Sequence, residues 1–105
     1  MAYNVKWSYF AENEIHKIFI YYCEHASITI AKKIIQKILD EPSRLINDPE
    51  ISQREELLFD RENKYYYLVC DNYKLIYSVD KNLNQINITD VFDTRQNPFK
   101  IKRTK

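Results

Sequence analysis

Arg95 is the residue of this chain best suited to hold another molecule. It lies two positions after Asp93 at the end of an apolar run, Val91-Phe92-Asp93-Thr94-Arg95. Its guanidinium can make a two-pronged bond to a carboxylate or a phosphate, a geometry that a lysine cannot imitate. Asp93 could in principle act as a base, but a guanidinium beside it should lower its pKa and make it a poor one at neutral pH. An ion pair of Arg95 with Asp93 or Asp90 explains the same spacing without any function, and the sequence leaves both readings open. The other charged candidates are Lys74, which reads equally well as a solvated surface charge, and the cations Lys100, Lys102, Arg103 and Lys105.

Other chemistries are excluded. The chain has no glycine, so glycine-rich phosphate cradles and dinucleotide fingerprints are absent, and tight turns must use Asn and Asp. Cys23 and Cys70 have no CxxC spacing and read as buried, reduced thiols. His16 and His25 have no carboxylate or thiol at usable ligand spacing beyond Cys23, so neither a metal nor a cofactor is expected. The start, MAYNVKWSYF, is no signal peptide, and no stretch reaches the ~20 apolar residues of a membrane span, so a cytoplasmic protein is expected. The net charge is +1, but the four tail cations stand without an acid. The remaining 12 lysines and arginines face 15 acids, a body charge of −3, which does not describe a dedicated nucleic-acid binder.

The elements that must position these residues follow from the apolar spacing. A length of 105 residues with 45% hydrophobic and 30% charged residues suits one folded domain, expected over residues 1–98 with a basic tail at 99–105. Tyr3 to Trp7 alternates and predicts a strand. Ser8 caps a helix that buries Ala11, Ile15, Ile18, Phe19 and Tyr22 and runs to about His25. Ser27 caps a second helix through Asp40, with Ala31, Ile34, Ile35 and Ile38 inward. Pro42 marks a break and a short extra turn through Leu45. The two helices form an antiparallel hairpin.

Asn47 to Asn63 reads as a surface loop that dips once into the core at Leu57-Leu58-Phe59. Tyr65 to Cys70 and Tyr73 to Val79 predict a β-hairpin around Asp71-Asn72. One of its faces carries Tyr66, Leu68, Cys70, Tyr73, Leu75, Tyr77 and Val79 and should meet the helices. The other carries Tyr65, Tyr67, Val69, Lys74, Ile76 and Ser78 and suits a working surface. A last strand runs from Gln85 to about Phe92, with a bulge near Thr89-Asp90 that lets Val91 join Ile86 and Ile88. The fold class is α+β: an N-terminal strand, a helix hairpin and a C-terminal three-stranded antiparallel meander.

The run Tyr73-Lys74-Leu75-Ile76-Tyr77-Ser78-Val79, then Ile86-x-Ile88, then Val91-Phe92-Asp93-Thr94-Arg95-Gln96-Asn97-Pro98 resembles the end of RelE/ParE toxins. Val5-x-Trp7-Ser8, Ala11, Ala31 and Leu45 match as well, so the resemblance covers nearly the whole chain. It implies the toxin of a bacterial type II toxin–antitoxin system, of the kind tied to plasmid stabilisation. The implied partner is a cognate antitoxin, with the toxin as a homodimer or in a heterotetramer with it. One branch of the family cleaves mRNA in the ribosome with basic residues on the open sheet face, and the other poisons DNA gyrase without being an enzyme.

This chain departs from the ribonuclease pattern. Tyr65 and Tyr67 stand where that branch often has two lysines, Lys74 where it has an arginine, and Asp93 where the family often has a histidine. The gyrase-poisoning, ParE-like branch is therefore the favoured expectation. Ribosome and mRNA as targets are the alternative, and a degenerate toxin that only binds its antitoxin is a third reading. The resemblance and the residue chemistry together nominate Arg95, Lys74, Asp93, Tyr65, Tyr67, Lys100, Lys102 and Arg103 as target contacts, with catalytic residues unassigned.

Overall fold

A computed structural model describes residues 2–104. β1 (Asn4–Trp7) is followed by α1 (Tyr9–His25) and α2 (Ile28–Asp40), and a 3-10 turn at Glu41–Leu45. Ser8 and Ser27 accept the amides of Ala11 and Ile30 at 3.0 and 3.1 Å, satisfying donors that the first helical turns would otherwise leave bare. Both caps, the proline break and the helix limits agree with the spacing argument. The sheet then adds β2 (Gln53–Arg54), β3 (Tyr66–Cys70), β4 (Tyr73–Asp80) and β5 (Gln85–Asp93), in the order β1-β5-β4-β3-β2. β1 runs parallel to β5 and the other pairings are antiparallel. No described helix is long and apolar enough to cross a membrane.

The missing glycines are replaced at the turns where they would be most useful. Asp71 and Asn84 take φ of 53° and 50°, the left-handed region that Asp and Asn tolerate best after glycine. With Asp71 so placed, Cys70 pairs with Tyr73 and the hairpin keeps the register expected of it. Its helix-facing side forms the main core: Tyr66, Leu68, Cys70, Tyr73, Leu75 and Tyr77 pack with Ala11, Ile38, Leu45, Ile86, Ile88 and Val91. The β5 bulge is also present. Ile76 pairs with Asp90 and Tyr77 with Ile88, so Thr89 is the extra residue, and its hydroxyl donates to the Ile76 carbonyl at 3.2 Å. The bulge returns Val91 to the helix side and turns Asp90 and Phe92 to the opposite face.

That opposite face differs from the open working surface expected of it. Tyr65, Ile76 and Phe92 pack with Leu58 and Ile101 into a second, smaller core. Leu58 comes from a 3-10 turn, Glu56–Leu58, that the sequence shows only as the middle of a loop. That loop is pinned: the Tyr77 hydroxyl donates to the Pro49 carbonyl at 2.6 Å and Tyr66 to Glu50 at 2.9 Å. Ile101 comes from the expected basic tail, where Pro98–Arg103 winds into a 3-10 turn. Three residues per turn place Ile101 and Thr104 on one side, and both are buried, while Lys100 and Lys102 stay exposed. Lys105 lies outside the described residues. The Arg61 guanidinium holds the segment by donating to the carbonyls of Lys102 and Thr104.

Because Ile101 is fully enclosed, Ile101→Ala should lower unfolding free energy by about 2–4 kcal/mol. Urea unfolding followed by circular dichroism measures this, and an unchanged midpoint would show that the turn is not docked.

Candidate functional site

β1 pairs with β5 only as far as Trp7 and Ile88. Beyond that point no strand among the described residues lies on the outer side of β5, and α1 and the C-terminal turn close the gap. Between them runs a groove of about 440 Å³, lined by Glu14, Lys17, Ile18, Tyr21, Tyr73, Val91, Asp93, Arg95, Gln96 and Arg103. The end of β5 supplies Asp93, which faces Tyr73 across the ladder.

Arg95 closes back in a two-pronged bond on Asp93, one of the two internal partners that the sequence left open. Its Nε donates to Oδ1 at 3.0 Å and its Nη2 to Oδ2 at 2.9 Å, and its backbone amide also donates to Oδ1 at 2.9 Å. These bonds hold the Asp93 carboxyl below the ordinary aspartate value of 3.8, and the carboxylate in turn raises the guanidinium. Beside them the Tyr73 hydroxyl donates to that of Tyr22 at 3.4 Å. Burial, then the Tyr22 contact, pushes the Tyr73 phenol well up. At neutral pH the groove therefore offers an ionised, weakly basic carboxylate and a firmly protonated phenol, a poor set for general acid–base work.

Arg103 has a different part from the one the sequence suggests. Its Nη2 lies 2.7 Å from Glu14 Oε1 and 3.1 Å from Asp90 Oδ1, and its Nε donates to Asp90 Oδ2 at 3.4 Å. Phe10 and Phe92 stack on the guanidinium at 5.3 and 5.5 Å. Asp90 is wholly buried and also accepts from the Thr104 hydroxyl at 2.8 Å. Burial raises its carboxyl against the opposing pull of Arg103 and Thr104. Arg103 is thus an internal clamp across α1, β5 and the C-terminal turn.

Lys74 and the hairpin tyrosines are elsewhere. The Lys74 ammonium lies 3.0 Å from the buried Glu55 carboxylate and 4.2 Å from the Tyr67 ring centroid. Tyr67 in turn donates to Gln53, and Tyr65 is part of the second core. This second groove also holds Arg54, stacked 4.7 Å from the Phe59 ring. Of the nominated residues, the structure therefore gathers Asp93, Arg95 and Arg103 at one groove and Lys74 with Tyr67 at another. It buries Tyr65 and leaves Lys100 and Lys102 on the outer side of the C-terminal turn.

Sequence reasoning missed Glu14, Lys17, Tyr21, Tyr22 and Gln96. One signal was available: Glu14 falls at helical spacing between Ala11 and Ile18 on the apolar stripe of α1, where an acid needs a partner. It has two, with Lys17 at 3.1 Å beside Arg103.

With this geometry in place, comparison with known proteins gives a consistent result. The family described as the ParE toxin of the type II toxin–antitoxin system, parDE, matches residues 5–98. A chain from the chromosomal ParDE toxin–antitoxin system of P. aeruginosa superimposes with a TM-score of 0.68 at 15% identity, over 87% of this chain and 95% of that one. A chain of the RelBE2 toxin–antitoxin complex from Mycobacterium tuberculosis gives 0.59 at 18% identity, over 89% and 99%. Comparison with curated proteins found no match.

Asp93 ionises more readily in the fold than in the open chain, so the stability it contributes is present above about pH 4 and is lost as pH falls through its lowered folded value. An NMR titration should place its carboxyl below 3.8, and Arg95→Ala should return it upward. A titration unmoved by that substitution would separate the two groups.

Proposed function

We propose, for a chain that belongs to the ParE toxin family of type II toxin–antitoxin systems, that it arrests growth by gripping DNA gyrase and is silenced by a cognate antitoxin in the cytoplasm. The observation that carries this reading is the state of the cations. Arg95, Lys74 and Arg103 each have a carboxylate of this chain within 3.1 Å. A ribonuclease would need cations free to meet developing phosphate charge, with an acid or base tuned near neutrality. Here the positions are filled by internal pairs, Tyr65 is buried, and Tyr67 serves Lys74 and Gln53. The more exposed of these pairs, Arg95 with Asp93, suits recognition of a protein, where such pairs fix register and orientation.

The antitoxin has a natural seat on the helix hairpin. Trp7, Ile15, Phe19, Ile35 and Leu39 line a groove of about 330 Å³, and Ile20, Ile28 and Ile30 are exposed nearby on the same two helices. An apolar groove between two helices is a place where a partner can bury its own apolar side chains. A helix or extended segment that covers it would bury roughly 1,500 Å² in all.

Expression of the chain alone should halt growth, and co-expression of the small protein encoded beside it should restore growth. The purified chain should inhibit gyrase supercoiling and accumulate cleaved DNA while leaving mRNA intact in a translation extract. Discrete ribosomal cuts with supercoiling untouched would favour the ribonuclease branch, and normal growth with abundant folded protein would contradict a toxin. Arg95→Ala should abolish growth arrest yet move the unfolding temperature by only a few degrees, since an exposed pair contributes about 0–1 kcal/mol.

A further inference from the structure

The groove between α1 and the end of β5 has a floor and a rim of different character. Ile18, Val91 and the rings of Tyr21 and Tyr73 make the floor apolar, while Lys17, Arg95 and Arg103 stand around it. Each rim cation is tied to a carboxylate, and in each pair the cation is the member that faces solvent. Lys17 is 76% exposed over a Glu14 side chain at 9%, Arg95 53% over Asp93 at 27%, and Arg103 30% over Asp90 at 0%. A molecule that approaches meets ammonium and guanidinium groups first, with their counter-charges set behind them. The near surface is positive although the formal charges balance. The Arg95 fork engages Asp93 through Nε and Nη2, and Tyr22 is a further neighbour of the guanidinium.

We infer that this groove takes a short segment of the cognate antitoxin in which an apolar side chain is flanked by acidic ones. The apolar side chain lies on Ile18, Tyr21 and Val91, and the carboxylates meet Lys17 and Arg95. The inference rests on the toxin–antitoxin reading above and adds the chemistry and place of the contact. A nucleic acid fits less well. Its phosphates need a continuous track of cations, whereas the cations here flank an apolar floor. Because Arg95 is part of the rim, the bound segment covers the residue proposed to touch the target, and silencing follows from occupation of that surface.

The test is a titration of the purified chain with the small protein encoded beside its gene, repeated with a Lys17→Glu/Tyr21→Ala variant. Both side chains are solvent-exposed on α1, and, since Lys17→Glu removes the contact with Glu14, urea unfolding first checks that the variant is folded. Its affinity should fall about tenfold or more, while Leu83→Ala, at the exposed β4–β5 turn, should bind like the unsubstituted chain. Equal affinity of the groove variant and the unsubstituted chain overturns the inference. Intact binding of the neighbouring protein, with loss of binding to a labelled single-stranded RNA, also overturns it and assigns the groove to nucleic acid. If the unsubstituted chain fails to bind the neighbouring protein at all, the toxin–antitoxin reading itself falls, and this inference with it.

Discussion

Asp90 sets the constraint that the rest of this small fold must meet. The β5 bulge turns its carboxylate to a fully buried position, and a buried carboxylate without a partner costs several kcal/mol. The cation that reaches it is Arg103, thirteen residues further along the chain. To deliver that guanidinium the C-terminal segment must fold back as a 3-10 turn, which brings Ile101 into the second core and Thr104 onto the same carboxylate. Arg103 also takes Glu14 from α1. One buried acid thus ties the first helix, the last strand and the chain end together, and the groove beside Arg95 is the space left between them.

The consequence for function is electrostatic. A domain with almost balanced charge still presents cations outward, because at each of these pairs the acid is the less exposed partner. Such a surface attracts and orients a charged partner. It is poorly equipped to move protons, since Asp93 is held ionised and Tyr73 protonated. Without glycine the tightest turns fall to Asp71 and Asn84. The chain belongs to the ParE toxin family, and the outward cations of the groove suit the orientation of a charged partner.

Periodicity made most of the scaffold legible. The helix caps at Ser8 and Ser27, the break at Pro42, the hairpin register and the bulge each follow from local residue chemistry, and each is present. The nature of the second sheet face was not legible. Its cover comes from Leu58, in a run expected to dip into the core, and from Ile101 in a basic stretch, and nothing local says which face either will meet. Arg103 was read as a free contact for the same reason, because its partners Asp90 and Glu14 come from a strand and a helix far away in sequence. Asp93 was legible only as one of two candidate partners of Arg95, and the strand end decides between them by closing the fork on Asp93. Lys74 could not be placed without Glu55, which β2 and the following turn bring to it.

The most direct measurement of this account is a double-mutant cycle between Asp90 and Arg103, with Asp90→Asn, Arg103→Met and the double variant compared by urea unfolding. If the buried clamp holds the chain end to the sheet and to α1, each single substitution should be strongly destabilising, and the two should couple by about 1–3 kcal/mol. A coupling below about 0.5 kcal/mol would mean that the residues act independently, and the convergence of helix, strand and C-terminal turn would then need another cause.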